Sequence, residues 1–317
     1  MRDTTITILL DAIVFSRPYT LVSGAFTAFG LLLFPSSCVS CGAWDTPLCP
    51  DCHASFRSAT ARPFRAEAGA ESLPDITLVR REATSRRGPP RQEDLLDGDA
   101  FAPLPVIAAG RYRSSVSRVL LAYKNHGHVD LAGPTAVALA AALHEAVDSL
   151  LAGGADPRPV VLVPVPTRGS SRRRRGYDPV MLLLGGLHRR GNLPAGATVA
   201  TAVVQVPPFA HLAAALSGGP PGALSTAVAR FLPGRSGGQK GLGRRRRKEQ
   251  VRHSMAVAPG MRGALAGRRC IVVDDVLTTG ATIGEVHRVL TDSGALVIGA
   301  VVIAATSSPS AGRDSML

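Results

Sequence analysis

Cys270-Ile271-Val272-Val273-Asp274-Asp275-Val276-Leu277-Thr278-Thr279-Gly280-Ala281-Thr282 is the stretch that decides the fold. Cys270 to Val273 is an apolar run without alternation, the pattern of a strand buried on both faces of a parallel sheet. It ends in two carboxylates. A turn of hydroxyls and glycine follows, and then a helix predicted over Ala281–Ser293. In an open parallel sheet, ligands sit beyond the carboxyl ends of the strands. That edge here offers acid first, then N–H groups and hydroxyls at a helix N-terminus, where the dipole favours a phosphate. The plainer alternative is a strand leading into an N-capped helix, with Asp275 and Thr278 as turn and cap residues. A buried-edge pair of aspartates is costly unless something cationic or hydroxylated meets it, which favours a ligand. The spacing suits a ribose 5-phosphate. Asp274 and Asp275 would accept hydrogen bonds from the sugar diol, and Thr278, Thr279, Gly280, Ala281 and Thr282 would wrap the phosphate.

Outward from this stretch, strands alternate with helices. Strands are predicted over Val106–Tyr112, Val160–Val165, Val199–Val206 and Ala295–Ala304, and helices over Ser115–Tyr123, Leu131–Leu151 and Tyr177–Leu187. Short helices are also expected at Leu224–Phe231 and Arg244–Val251. The order argues for an α/β domain over 106–306, with a mostly parallel sheet flanked by helices. Residues 57–105 lack a sustained apolar period and read as a mobile linker, with one short strand at Ile76–Val79. Residues 207–243 are also loose, and 307–317 read as a disordered tail.

The chain has 317 residues, enough for about two domains. At 45% hydrophobic and 19% charged it is not a wholly disordered chain. Aromatics at 4% exclude broad base-stacking surfaces as a main mode of action. The 36 Lys+Arg against 23 Asp+Glu give a formal charge of +13, which points to an anionic partner. Phosphate-rich small molecules, nucleic acid and acidic lipid all meet that description. Residues 1–35 form an apolar N-terminal segment. Leu21 to Phe34 falls short of the roughly 20 residues a membrane helix needs. A helix packed on the body of a cytoplasmic protein is expected, with membrane association or export as the alternative.

Cys38-x2-Cys41-x7-Cys49-x2-Cys52 is a metal pattern rather than a disulfide framework. Two Cys-x-x-Cys turns supply four thiolates, the donor set of a closed structural Zn²⁺ site, here a knuckle over 36–56. Trp44 and Leu48 lie between the pairs and are expected to cap it. Cys270, at a strand start, reads as a small buried residue.

The apolar strand, Asp-Asp, apolar pair and Thr-Thr-Gly-x-Thr resemble the loop that binds phosphoribosyl pyrophosphate (PRPP) in type I phosphoribosyltransferases. Further stretches are similar to the ComF family. Tyr123-Lys124 with Gly127 resembles its Tyr-Lys-x-x-Gly segment. Val163-Pro164-Val165-Pro166 and Arg175-Gly176-Tyr177 resemble its Val-Pro-x-Pro and Arg-Gly-Phe/Tyr elements, and Asp178-Pro179 stands where that family has Asn-Gln. Gln239, Leu242, Arg247 and Met255 fall in its later pattern. The resemblance implies PRPP or a nucleotide as ligand, Mg²⁺ with PRPP, attack at C1 and loss of pyrophosphate. Asp274 and Asp275 would orient the ribose. Lys124, Val165, Pro166, Arg168 and Arg175 would lie on the pyrophosphate side, with an unusual peptide near Val165-Pro166. Arg168 and the Arg172–Arg175 run, on a Gly/Ser loop, are expected to close over a polyphosphate and offset leaving-group charge, with a solvated charge run or a nucleic-acid patch as the alternative. In the latter case the Arg244–Arg247 run would join in holding DNA. The family's association with DNA uptake implies single-stranded DNA or a DNA-uptake helicase as a further partner. A zinc-containing DNA-binding accessory protein and a PRPP-sensing regulator without turnover are the competing functions.

Overall fold

A computed structural model describes residues 37–78, 100–125, 127–151, 159–167, 169, 171, 175–206 and 254–306. The expected N-terminal apolar segment, the helices at 224–231 and 244–251, Arg168, Arg172–Arg174, Gln239, Leu242, Arg247 and the C-terminal tail lie outside them. Among the described residues, no helix is long and apolar enough to cross a membrane.

Strands β1 (Phe64–Arg65), β4 (Val106–Arg111), β5 (Val160–Pro164), β6 (Ala197–Val199), β9 (Arg269–Leu277) and β10 (Leu296–Ala305) form a six-stranded sheet in the order β1-β4-β10-β9-β5-β6. All neighbours run parallel except β1, which pairs antiparallel with β4. The chain steps outward from β5 to β6, then returns inside β5 and steps the other way from β9 to β10. That reversal makes the gap between the β5 and β9 carboxyl ends the topological switch point, where open α/β sheets bind ligands.

Alternation along the strands feeds two cores. Ile107, Ala109, Val160, Leu162, Ile271, Val273, Val301 and Ile303 face one of them. There they meet α2 (Ser114–Asn125), α3 (Ala132–Leu151) and α4 (Pro179–Arg189). Val106, Ala108, Val161, Val163, Cys270, Val272, Ala300 and Val302 face the other, covered by α5 (Ala281–Thr291). Helix α5 buries Ile283, Val286, Val289 and Leu290, a helical repeat of one apolar stripe. Each such side chain contributes about 1.5–3 kcal/mol when fully removed from water.

The structure departs from the sequence-based expectations at four places. The segment expected as a linker is structured at both ends. It holds the last turn of α1 (Pro50–Thr60), the edge strand β1, and the antiparallel pair of β2 (Asp75–Leu78) and β3 (Ala100–Pro103). The strand expected over Val199–Val206 is two. Ala202 N–H bends back to Ala200 O at 2.9 Å, so β6 stays in the main sheet. Beyond the bend, β7 (Val203–Gln205) pairs with β8 (Met255–Val257). The strand carrying the aspartates does not stop at Val273 but runs to Leu277, because β10 continues beside it as far as Ala305↔Leu277. Finally, every peptide among the described residues is trans, Val165–Pro166 included, so no unusual peptide stands there.

Candidate functional site at the carboxyl edge of the sheet

Strand β5 accompanies β9 only as far as Pro164↔Val273. Val165 N–H closes that ladder on Val273 O at 2.8 Å. From Asp274 onward β9 keeps its β10 neighbour but has none from β5, and the two carboxylates stand at this opening. Asp274 Oδ1 accepts the Asp275 N–H at 2.8 Å. Asp275 Oδ2 pairs with Lys124 Nζ at 2.5 Å, with side chains 14% and 37% exposed. Desolvation, ahead of the neighbouring Asp275 charge, raises the Asp274 pKa to about 8, although Lys124 and the Asp275 N–H work to lower it.

This shift has a definite sign. An aspartate in an unfolded chain ionises near pH ~4. In the folded protein Asp274 keeps its proton to about 8. Its contribution to stability is therefore complete below that lower value and is lost as pH rises through the folded pKa. Asp274→Asn should accordingly flatten the fall of melting temperature between pH 5 and 8 and raise it at pH 8. Superimposable profiles for variant and wild type would contradict the assignment.

After Leu277 the chain turns through Thr278 and Thr279 to Gly280, the N-cap of α5, at φ 82°. A left-handed cap without a side chain suits glycine. The plainer alternative, capping by Asp275 or Thr278, is not realised, since no side-chain cap bond is made. Thr279 Oγ1 accepts the Ala281 N–H at 3.4 Å. Ala281 and Thr282 open the helix, so the five residues expected to wrap a phosphate lie together at its N-terminus.

The expected cationic side comes from two elements. Lys124 ends α2, and Arg175 precedes α4. Tyr177 joins them: its hydroxyl donates to Tyr123 O at 2.5 Å, while Tyr123 OH donates to Pro179 O at 2.8 Å. The rings lie 6.2 Å apart, tilted at 49°. Among the described residues, Arg175 Nε and Nη1 are buried and find no hydrogen-bond partner. Buried donors left open cost about 1–3 kcal/mol, so this guanidinium is primed for an anion. Asp178 accepts the Met181 N–H at 3.2 Å as the N-cap of α4, and Pro179 takes the first helical position. Pro166 O accepts from Gln205 Nε2 at 3.1 Å. Sequence reasoning missed the two-tyrosine clasp and the Gln205 contact, which depend on chain segments far apart.

The four cysteines converge separately. The Sγ atoms of Cys38, Cys41, Cys49 and Cys52 all lie within 4.8 Å of one another. Burial of Cys38 raises its pKa, yet the N–H groups of Cys49, Cys41 and Ser40 outweigh that and hold it at about 6. Cys52 is driven to about 12; a Ser40 bond lowers it, but the crowded thiols of Cys49, Cys41 and Cys38 prevail. Four thiolates cannot share this space without a cation, so the donor set fits zinc. Cys49 is the N-cap of α1, whose Phe56 is fully buried in the first core. The Arg118 guanidinium donates to Ser40 O, and Leu48 packs against the same core. Trp44, expected as a cap, is instead 73% exposed. Cys270 is buried as expected.

Residues 224–315 match the model of the phosphoribosyl transferase domain. The adenine phosphoribosyltransferases of Mycolicibacterium gilvum and Mycolicibacterium vanbaalenii are each 56% identical over 39 residues, 12% of this chain and 22% of theirs. That of Mycobacterium tuberculosis is 54% identical over 39 residues, 12% of this chain and 18% of its own. The likeness thus spans about a fifth of the length of these relatives. With the mostly parallel sheet and the loop at its carboxyl edge, the C-terminal part of the chain is a phosphoribosyltransferase domain of type I, preceded by a four-cysteine cluster suited to zinc.

Proposed function

We propose that the chain is a ComF-like phosphoribosyltransferase that binds PRPP at the β5–β9 opening and transfers its phosphoribosyl group with release of pyrophosphate. One observation carries the reading. The Asp274–Asp275 pair stands beside the N-terminal turn of α5, with Lys124 on its other side. Acid for the diol, amides for the 5-phosphate and cations for the pyrophosphate are thereby grouped around one opening. Lys124 pairs with Asp275. When PRPP enters, Asp275 would turn to the ribose hydroxyls and Lys124 to the pyrophosphate. Arg175, with donors to spare, would join it there. The acceptor attacks C1 as the C1–O bond to pyrophosphate breaks, and the leaving oxygen departs with the electron pair. Charge grows on pyrophosphate during this step, so fixed cations stabilise the transition state more than the ground state. Mg²⁺, for which Asp274 and Asp275 offer hard oxygen ligands, would neutralise pyrophosphate charge.

The acceptor follows from likeness alone: the similar relatives are adenine phosphoribosyltransferases, so adenine is the first base to offer. The DNA-uptake role implied by the ComF resemblance rests on that resemblance, and the Arg244–Arg247 run lies outside the described residues. Calorimetric titration of the zinc-loaded protein with PRPP and Mg²⁺ tests binding, and a base screen for pyrophosphate release tests turnover. Saturable binding at one site per chain with release is expected. Binding without release from any base would favour a PRPP sensor, and absence of binding would end the proposal.

Removing the guanidinium should separate leaving-group from sugar contacts. Arg175→Ala is expected to weaken pyrophosphate and PRPP by about tenfold, the scale of one charge-assisted bond, and to spare ribose 5-phosphate. Equal weakening of all three ligands would place Arg175 elsewhere.

A further inference from the structure

Glycine stands at the N-cap of helix α5, Gly280, and again one turn on at Gly284, and a chain segment far off in sequence fills the notch. A Cβ built on Gly280 would lie 2.8 Å from Leu73 Cδ2, and one on Gly284 3.0 Å from Ser72 O. Ser72 N–H donates to Thr279 O at 2.8 Å, inside the phosphate turn itself. Two contacts fix this segment from behind. Leu73 N–H returns to Ala70 O at 3.2 Å, and Leu104 N–H donates to Pro74 O at 2.8 Å. Upstream, Glu67 accepts the Val106 N–H at 3.2 Å and pairs with Arg65 at 2.7 Å, tying the run to the start of β4. Leu73 also packs on the second core. The segment precedes the region 224–315 that matches the phosphoribosyl transferase domain.

We propose that the Ala70–Pro74 turn is a positioning element for the phosphate cup, holding the Thr278–Gly280 backbone in the shape that presents its N–H groups to a 5-phosphate. This rests on the PRPP reading given above. The physical reason is preorganisation. An amide cup binds by the direction of its N–H groups, and a turn free to sample other shapes must be ordered at each binding event. Ser72 and Leu73 touch Thr279 and Gly280 on the protein side, so they act through the loop and are positioning residues.

The test compares two ligands that meet opposite ends of the site, ribose 5-phosphate and inorganic pyrophosphate, by calorimetry on the zinc-loaded full chain. Leu73→Ala should weaken ribose 5-phosphate by about tenfold while changing pyrophosphate by less than about twofold. Gly284→Ala provides a second variant, since alanine favours the helix while its Cβ pushes on Ser72 O. It should bias the two affinities in the same direction even if Leu73→Ala fails to fold. A lowered melting temperature with an unchanged ratio of affinities would reduce the turn to ordinary packing and overturn the inference. Wild-type protein that binds neither ligand would instead overturn the PRPP reading and take this inference with it.

Discussion

Asp274→Asn/Asp275→Asn should cut the affinity for PRPP with Mg²⁺ by at least about thirtyfold, with the fold retained. Asp275 would accept a charge-assisted hydrogen bond from the ribose, worth about 1.5–3 kcal/mol, and Asp274, protonated below its raised pKa of about 8, a neutral one worth about 0.5–1.5 kcal/mol. Losing both amounts to roughly 2–4.5 kcal/mol, or about one and a half to three powers of ten. The amide is isosteric, and β9 draws its ladder from backbone groups shared with β10, so the strand should persist. Removing the Asp275 charge leaves Lys124 without its partner, but that side chain is 37% exposed and can turn to water. The variant also loses the desolvated charge of Asp274 and should melt no lower than wild type at pH 8. Calorimetry on the double variant decides the matter. Affinity within about threefold of wild type would show that the acidic pair does not meet the sugar. An acidic pair repels a polyanion, so single-stranded DNA affinity should stay level or rise; its loss in parallel would contradict the division of roles.

The second large effect is expected at the cysteine cluster. Elemental analysis should find about one zinc per chain, and a strong chelator or Cys38→Ser should release it. Structural zinc contributes apparent binding energies of about 10–16 kcal/mol in small zinc modules, so the 38–52 segment should unfold without metal. The consequence reaches further than the module. Helix α1 begins at Cys49 and inserts Phe56 into the core that also holds Ile107, Val116 and Leu120. Loss of the metal frees the start of that helix and loosens the core beneath it. Amide exchange in α1 should rise steeply, and the thermal transition should shift downward by several degrees, while ligand binding at the β5–β9 opening weakens only modestly. Protein free of zinc as purified, with α1 still protected from exchange, would remove the metal assignment.

Much of the sheet was legible because its central strands are long, apolar and buried on both sides. The apolar runs Val160–Val165, Cys270–Val273 and Ala295–Ala304 announce themselves by composition alone, and each falls in a central strand, although the middle one extends to Leu277. The acidic pair, the threonine–glycine turn and the cysteine spacing were legible for a different reason: each is local, with all its chemistry inside a dozen residues. What escaped was what only tertiary contact creates. Strand β1 is the dipeptide Phe64–Arg65, too short for any period. It is an edge strand because Ala66 N–H finds Val106 O at 2.8 Å and Arg111 sits over the Phe64 ring at 5.0 Å. Helix α1 was hidden by the cysteine motif, since Pro50 and Asp51 read as a turn between ligands although they also make a good first helical turn. The bend at Ala200–Ala202 has no glycine or proline to mark it, so the split of one expected strand into two was invisible. Pairing of Lys124 with Asp275 joins residues about 150 positions apart and follows from topology, not from pattern.

The clasp of Tyr177 on Tyr123 bears on how the opening meets a diphosphate. The lysine and the arginine belong to separate stretches of chain, and long cationic side chains normally surrender much freedom when an anion gathers them. Here the backbone carbonyl next to Lys124 is gripped by a phenol two residues beyond Arg175, so neither base of attachment drifts without the other. An incoming diphosphate would find a ready-made pair of pincers whose handles are already riveted, and only the tips remain to close.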